Sequence, residues 1–338
     1  MADSSGVVLV TGASGFIAIH VVRALLKQGF RVRGTVRDAK NDRKTEPLRT
    51  CCPEARHPVE LVEADLLDDA GWAEAVDGCQ FVAHGTRRVL KFASEAGTVK
   101  RVVVTSSLLA VHGEVDTPAE REFDEDDWTD VEFKGVDAYT KSKVLAEKAA
   151  WEFVDTLPAE KRFELATINP GLVFGPPLHG TYGTSLEVIK RLLDKSTPLV
   201  PRVNVFVCDV RDVAKAHVQA LIVPEAAGKR HIIYSGNAWL KDIAMILREE
   251  LSGQGYCITS LTAPDIGVWL AGCVDKSAKM LYPRVGKVYK FSNRRMREVL
   301  GVEPRPIRDT VLDTAHGLIQ AGAIQETSKY VRKELCLD

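Results

Sequence analysis

The stretch VVLVTGASGFIAIH, residues 7–20, limits what this chain can fold into more than any other. Its first four residues are apolar without polar alternation, the pattern of a strand buried on both faces. Thr11, Gly12 and Gly15 break the run. Ile17, Val21 and Leu25 then recur at helical spacing until Gly29 stops them. Glycine at 12 and 15, with small Ala18 three residues on, permits a tight turn and close backbone approach to a pyrophosphate. The N-terminus of the following helix faces that charge. A dinucleotide site on Gly12, Ser14, Gly15, Phe16 and Ile17 is therefore expected.

The alternation continues. Strand candidates lie at 7–11, 30–36, 59–63, 79–84, 101–106 and 164–169, with helical patterns between them. Near-continuous apolar strands separated by helices imply an α/β fold, a Rossmann-type doubly wound parallel sheet. After Gly171 the texture changes. Residues 230–236 read as one more strand of the same sheet, and Leu240, Ile243, Ala244, Leu247 and Leu251 mark an amphipathic helix. Val311, Ala315, Leu318 and Gly322 mark another. The expected plan is a nucleotide-binding domain over 1–172, extended by the strand near 230–236. A smaller, mainly substrate-binding C-terminal lobe takes up 173–338.

Composition narrows the partners. The 338 residues carry a net charge of -1, which argues against nucleic acid or an anionic membrane surface. Seven cysteines form no C-x-x-C pair and read as free thiols in a reducing compartment. The opening MADSSG has no apolar signal segment, and the apolar run 266–274 is shorter than the roughly 20 residues a membrane span needs. A cytoplasmic protein with a small-molecule partner is expected. Eight histidines show no ligand spacing, and the acidic segment 114–132 reads as a solvated loop rather than a metal site.

Further candidates sit at strand ends, where an open α/β sheet has its ligand crevice. The second strand is followed by Arg37, where an NAD enzyme would carry an acid. Lys40, Arg43 and Lys44 are nearby, and Asp38 is the counter-signal. Arginine there accommodates a 2′-phosphate, so NADP is preferred to NAD. Asp65 and Leu66 follow the third strand. A carboxylate or backbone group there could touch the adenine, although Asp65 alone reads more simply as a helix N-cap. Ser106 and Ser107 end the strand at 101–106. Tyr139 and Lys143 stand four apart on one helix face, and an ammonium beside a phenol lowers its pKa. Pro170 and Gly171 turn the chain at the same edge, where backbone groups could meet a nicotinamide amide.

Taken in order, TGASGFIA, RGTVRD, ADLLD, TSS, YTKSK and NPGLVFGPP resemble the extended short-chain dehydrogenase/reductases of the NAD-dependent epimerase/dehydratase superfamily. Within them the chain resembles the branch of dihydroflavonol reductase, cinnamoyl-CoA reductase and aldehyde/ketone reductases. FVCDVRDVAKAHVQAL, KDIAMILREEL and FSNRRMREVLG resemble that branch's C-terminal lobe. The resemblance implies an NADPH-dependent carbonyl reductase acting on CH–OH/carbonyl pairs. Tyr139 would be the proton donor, and Lys143 would lower its pKa and bind the nicotinamide ribose. Ser107, with Ser106 as the alternative, would hold the substrate oxygen. Gly12, Gly15, Arg37, Asp65 and Leu66 would bind the adenosine half.

One departure stands out. In CQFVAHGTRRVL, residues 79–90, a strand runs through His84 and Gly85 into a helix from Thr86. Members of the branch read like FHVASP there and carry a loop and several helical turns, roughly two dozen residues at about 3.6 per turn. Both flanks match, so this resembles an internal deletion after His84. The shortened helix can still return the chain to the fifth strand, its first turn unwinding to serve as a loop; the opposing possibility is that residues 86–89 unwind and rebuild the wall, with Arg87 or Arg88 reaching the pyrophosphate. What goes is a wall beside the cofactor, together with part of a helix that dimers of the branch use. A monomer or weak homodimer is expected. A folded but catalytically impaired variant is the competing reading, and a nucleotide-sugar epimerase or sterol dehydrogenase is a third.

Overall fold

The computed structural model describes residues 6–83, 87–114, 121–180, 182–272 and 282–337, with backbone alone for Arg87 and 269–272. The N-terminal half runs β1 (Val7–Val10), α1 (Phe16–Lys27), β2 (Arg31–Val36), α2 (Asp42–Thr50), β3 (Glu60–Glu63), α3 (Trp72–Val76) and β4 (Phe81–Ala83). It continues through α4 (Arg87–Ala96), β5 (Arg101–Thr105), β6 (Glu122–Phe123), α5 (Ala138–Thr156) and β7 (Glu164–Pro170). Then follow β8 (Leu172–Phe174), α6 (Glu187–Leu193), β9 (Asn204–Asp209), α7 (Val210–Ile222), β10 (Arg230–Ile233), β11 (Gly236–Trp239) and α8 (Leu240–Leu251). The chain closes with α9 (Asp265–Gly272), β12 (Lys290–Phe291), α10 (Arg294–Glu298) and α11 (Ile307–Gln320).

Seven strands form one parallel sheet in the order β3-β2-β1-β4-β5-β7-β10. The Rossmann-type architecture is as expected, and β10 joins the sheet as the strand expected near 230–236. Strand order reverses between β1 and β4, which opens a crevice at their carboxyl ends. Alternation within each strand feeds both faces. Val8 and Val10 enter the core beneath α1 and α7, whereas Leu9 enters the core beneath α3, α4 and α5. All three are 0% exposed. Val103 and the pair Val102 and Val104 divide the same way on β5. A strand with no polar positions suits a sheet covered by helices on both sides.

A second sheet, β11-β9-β8, packs with α6, α8 and α11 around a separate apolar cluster. β6 and β12 make a two-stranded pair. Part of the acidic segment departs from the solvated reading: Glu125 is buried, accepts a hydrogen bond from the Ile232 N–H at 3.1 Å and pairs with Arg295 at 3.7 Å. Burial pushes its carboxyl up. Among the described residues no helix is long and apolar enough to cross a membrane.

β4 lies between β1 and β5, in register with both. His84, Gly85 and Thr86 lie outside the described residues. The helix α4 begins at Arg87, so the unwinding expected over its first turn does not occur at 87–89. Val89, Leu90 and Ala93 are buried in the cluster with Trp72, Val102 and Leu165, and this apolar seal holds those residues helical.

Four buried histidines make the fold acid-sensitive. His20, His112, His217 and His231 are each pushed down by burial from 6.5 to about 4. Between those values the unfolded chain takes up protons that the native chain excludes, so stability falls as pH drops. Asp212 opposes this. Burial lifts its carboxyl to about 6, so it favours the native state below that pH. Glu125, also pushed up by burial, acts in the same sense as Asp212; the four histidines outweigh the two carboxylates, and thermal melting at about pH 5 is expected several degrees below that at about pH 7. Equal melting points at the two would contradict the burial argument.

Candidate active site

The carboxyl ends of β1, β2 and β3 border a cleft of about 450 Å³ lined by Gly12, Ser14, Gly15, Thr35, Arg37, Asp65 and Leu66 among others. Gly12 adopts φ +58, which explains the glycine there. Its N–H donates to Thr35 Oγ1 at 2.9 Å, and the Ala13 N–H donates to the Thr35 carbonyl at 2.9 Å. The turn is thus fastened to β2, and Gly34 lets the two meet: a Cβ on Gly34 would lie 2.8 Å from the Ala13 Cβ. Gly15 caps α1 in extended conformation, and Phe16 and Ile17 open the helix. These two do not line the cleft. The Phe16 ring packs edge-on to His20 at 5.9 Å and lies against Gly183.

Arg37 lines the cleft as expected, together with Asn41 and Lys44 from the start of α2. Of the basic residues grouped near it in the sequence, the helix turns Lys44 toward this space. Asp38, the counter-signal, lines the same cleft, and its carboxylate accepts the Lys40 N–H at 2.9 Å. Asp65 is not the N-cap of α3. That position belongs to Gly71, at φ +80, where a Cβ would fall 2.1 Å from the Glu63 carbonyl oxygen. Asp65 instead accepts the Leu67 N–H at 3.0 Å, and its carbonyl accepts the Trp72 indole N–H at 2.8 Å. Sequence reading missed Thr35 and Trp72, whereas Lys44 stood in the basic group it noted beside Arg37. A polar residue in an apolar strand was the available signal for Thr35.

Arg88 does not reach for a pyrophosphate. It donates to the Leu66 carbonyl and pairs with Asp69 at 2.8 Å. The shortened α4 is thereby tied to the loop after β3. From the far side, His179 in the loop after β8 hydrogen-bonds the Ser14 backbone.

The expected chemical residues gather where β5 ends. Ser106 and Ser107 are both buried, with different tasks. Ser106 donates to the Glu147 carboxylate. Ser107 Oγ accepts the Leu109 N–H at 3.2 Å and opens the short turn Leu108–Ala110. That turn packs against α5. Gly113, just beyond it, lies so near that a Cβ would be 2.4 Å from Thr140 Cγ2. Asp137 caps α5, accepting the Thr140 N–H at 2.8 Å.

Tyr139 follows the cap and is 54% exposed. The Lys143 ammonium stands 5.9 Å from its ring centroid. The i,i+4 spacing therefore does place them side by side, yet the expected lowering of the phenol is not found. Partial burial, then the Asp137 charge, push it up. Such a phenol holds its proton at neutral pH and is available as a donor. Burial pushes Lys143 down, and the Glu147 charge pushes it back up.

Pro170 ends β7, and Gly171 is required by close approach, because a Cβ there would lie 2.3 Å from the Phe206 carbonyl oxygen. The Gly171 N–H is spent on the Ile233 carbonyl at 3.1 Å. It is therefore not offered to a nicotinamide amide.

Comparison with known proteins adds to this geometry. The NmrA-like family matches residues 4–126, and the family described as male sterility protein matches 77–195. Cinnamoyl-CoA reductase 1 of Petunia hybrida is 35% identical over 340 positions, covering 94% of each chain. The yeast methylglyoxal/isovaleraldehyde reductase Gre2, solved with NADPH, superposes at TM-score 0.71 with 26% identity, over 94% of this chain and 99% of that one. Gre2 from Candida albicans reaches TM-score 0.74 with 28% identity over the same shares.

Proposed function

This chain belongs to the extended short-chain dehydrogenase/reductases, in the branch of the cinnamoyl-CoA and Gre2-type reductases, and from that premise we propose that it is an NADPH-dependent carbonyl reductase. The observation that carries this reading is a juxtaposition. The helix bearing Tyr139 and Lys143 packs on the turn opened by Ser107, at the same sheet edge that holds the glycine cleft. The fit of the cofactor rests on that cleft. At Gly12 a Cβ would meet nothing within 4 Å, so the backbone lies open to a pyrophosphate. Arg37 and Lys44 supply positive charge where a 2′-phosphate would lie.

Gly12, Gly15, Arg37 and Lys44 would hold NADPH, which when bound would supply a hydride to an aldehyde or ketone carbon. Ser107 orients the carbonyl oxygen by hydrogen bonding. Tyr139, held protonated by partial burial and Asp137, delivers a proton to that oxygen. Lys143 steadies the phenolate that remains. NADPH oxidation in the presence of a panel of aromatic and aliphatic aldehydes and ketones tests the reading. No oxidation above background with any of them would refute it. The shortened crossover after β4 favours a second reading, a folded chain that holds the cofactor and turns over weakly. NADPH binding without turnover would select it.

The same cleft predicts cofactor preference. Arg37→Ala is expected to weaken NADPH binding by about 1.5–3 kcal/mol, the worth of a charge-assisted hydrogen bond. NADH binding should barely change. Equal losses for both in a fluorescence titration would remove Arg37 from the 2′-phosphate.

A further inference from the structure

Beneath the Tyr139 helix lies a buried polar network that the proposed chemistry does not use. Its centre is Glu147, four residues beyond Lys143 on the same face of α5, with a side chain 0% exposed. Glu147 Oε1 accepts Arg230 Nε at 2.8 Å and Thr167 Oγ1 at 2.9 Å. Oε2 accepts the Ser106 hydroxyl and Asn169 Nδ2, the latter at 2.8 Å. Asn169 Nδ2 lies also within 3.2 Å of the Ser107 carbonyl oxygen. One carboxylate thus ties α5 to the ends of β5 and β7. Through Asn169 it reaches the backbone of the serine expected to touch substrate.

Arg230 anchors the other side. It stands on β10, the outermost strand, with its guanidinium 3.7 Å from the centroid of the Trp128 ring. It donates to the Glu125 carbonyl at 3.0 Å and to that of Asp127. A buried charge pair is poor evidence of stability, since desolvation offsets much of its attraction. The donors around this one converge on the sheet edge where Ser107 and α5 meet. Among the described residues Glu147 is also the charged group acting on the Lys143 ammonium, opposing the effect of burial. The groups that face Glu147 itself come from β5, β7 and β10.

We infer that Glu147, locked by Arg230, is the positioning residue of the reaction: it sets the Ser106–Ser107 turn against α5 and provides the negative charge that faces Lys143. The inference rests on the carbonyl-reductase reading for its chemistry and on the network alone for its geometry. The mechanism gives it a pH signature. Reduction needs Lys143 protonated, so activity is lost as pH rises through the lysine's pKa. Without the Glu147 charge that pKa falls, and the basic limb of the profile moves to lower pH.

The test compares the native chain with Glu147→Gln, Glu147→Asp and the charge-neutral double variant Glu147→Gln/Arg230→Gln, which keeps the interior free of a lone charge if the single variant folds poorly. For Glu147→Gln, kcat per folded molecule is expected to fall about 10- to 100-fold, as reacting groups leave their aligned geometry. NADPH affinity should fall far less than kcat, because the cleft lined by Gly12, Arg37 and Asp65 lies on β1, β2 and β3, away from this network. The basic limb should move down in both Gln variants and return in Glu147→Asp. Unchanged kcat per folded molecule with a superimposable pH profile would overturn the inference and leave Glu147 a purely structural residue. NMR titration of the lysine side chains in the cofactor-free chain, with Lys143 assigned by substitution, reads the same shift without turnover. If the native chain reduces no carbonyl, the functional reading falls. The lysine titration then still decides this inference: a Lys143 midpoint unmoved by Glu147→Gln sinks it.

Discussion

Tyr139→Phe is expected to lower carbonyl reduction by about 100- to 10,000-fold, the usual worth of a general acid, and to leave NADPH affinity nearly intact. The substitution removes one oxygen from a side chain that is 54% exposed, so little packing is lost. The cleft lined by Gly12, Arg37 and Asp65 lies on other strands, and Tyr139 is not among its walls. Partial burial and Asp137 raise the phenol, so the native side chain enters the reaction protonated. Phenylalanine has no proton to give, and solvent must replace it. Steady-state NADPH oxidation with an aldehyde, alongside a fluorescence titration of NADPH, separates the two effects. An unchanged kcat would take Tyr139 out of the mechanism, and a parallel loss of affinity would place it in binding instead.

A version of this chain carrying a relative's loop between His84 and Gly85 should bind NADPH about 100-fold more tightly than the chain itself. The estimate takes three hydrogen bonds as missing, each worth about 1 kcal/mol net, with about 1.4 kcal/mol per tenfold. The fold gives the reason. Ala83 ends β4 directly beside the glycine turn, its carbonyl accepting the Thr11 N–H at 3.2 Å. On the β3 side, Arg88 braces the Leu66 wall of the cleft from α4. The shortening therefore falls on the side toward β5, where the nicotinamide half would lie. Turnover should also improve with the loop, since a tilting nicotinamide loses its near-attack geometry. Matching affinities and matching aldehyde turnover in the two versions would show the short crossover to be harmless.

Much of the fold was legible because its signals are local. Val7–Val10 lack polar alternation, and Gly12 and Gly15 sit where a strand must become a helix, so β1, the turn and α1 follow from a dozen residues. The i,i+4 spacing of Tyr139 and Lys143 likewise predicted their proximity. Errors arose where a polar group chose between local and distant partners. Asp65 reads as a helix cap, yet α3 waits for Gly71, because only a glycine fits against the Glu63 carbonyl at φ +80. Ser106 and Ser107 look equivalent in the sequence. Glu147, 41 residues away, takes the first into the interior and leaves the second to open the turn beside α5.

The sequence by itself determined the strands of the parallel sheet, the glycine turn and the residue types at each strand end, since backbone preference and apolar periodicity act over a few residues; the second sheet, β11-β9-β8, emerged only in the structure. Tertiary structure alone decided that Asp137 and burial raise the Tyr139 phenol despite Lys143, and that Arg88 braces the cleft instead of entering it. It also decided that Arg230, 83 residues from Glu147, locks the carboxylate beneath the site. Hydrogen bonds and charges in a desolvated interior depend on distances of a few ångströms between segments far apart in the chain, and those distances exist only after the sheet has packed.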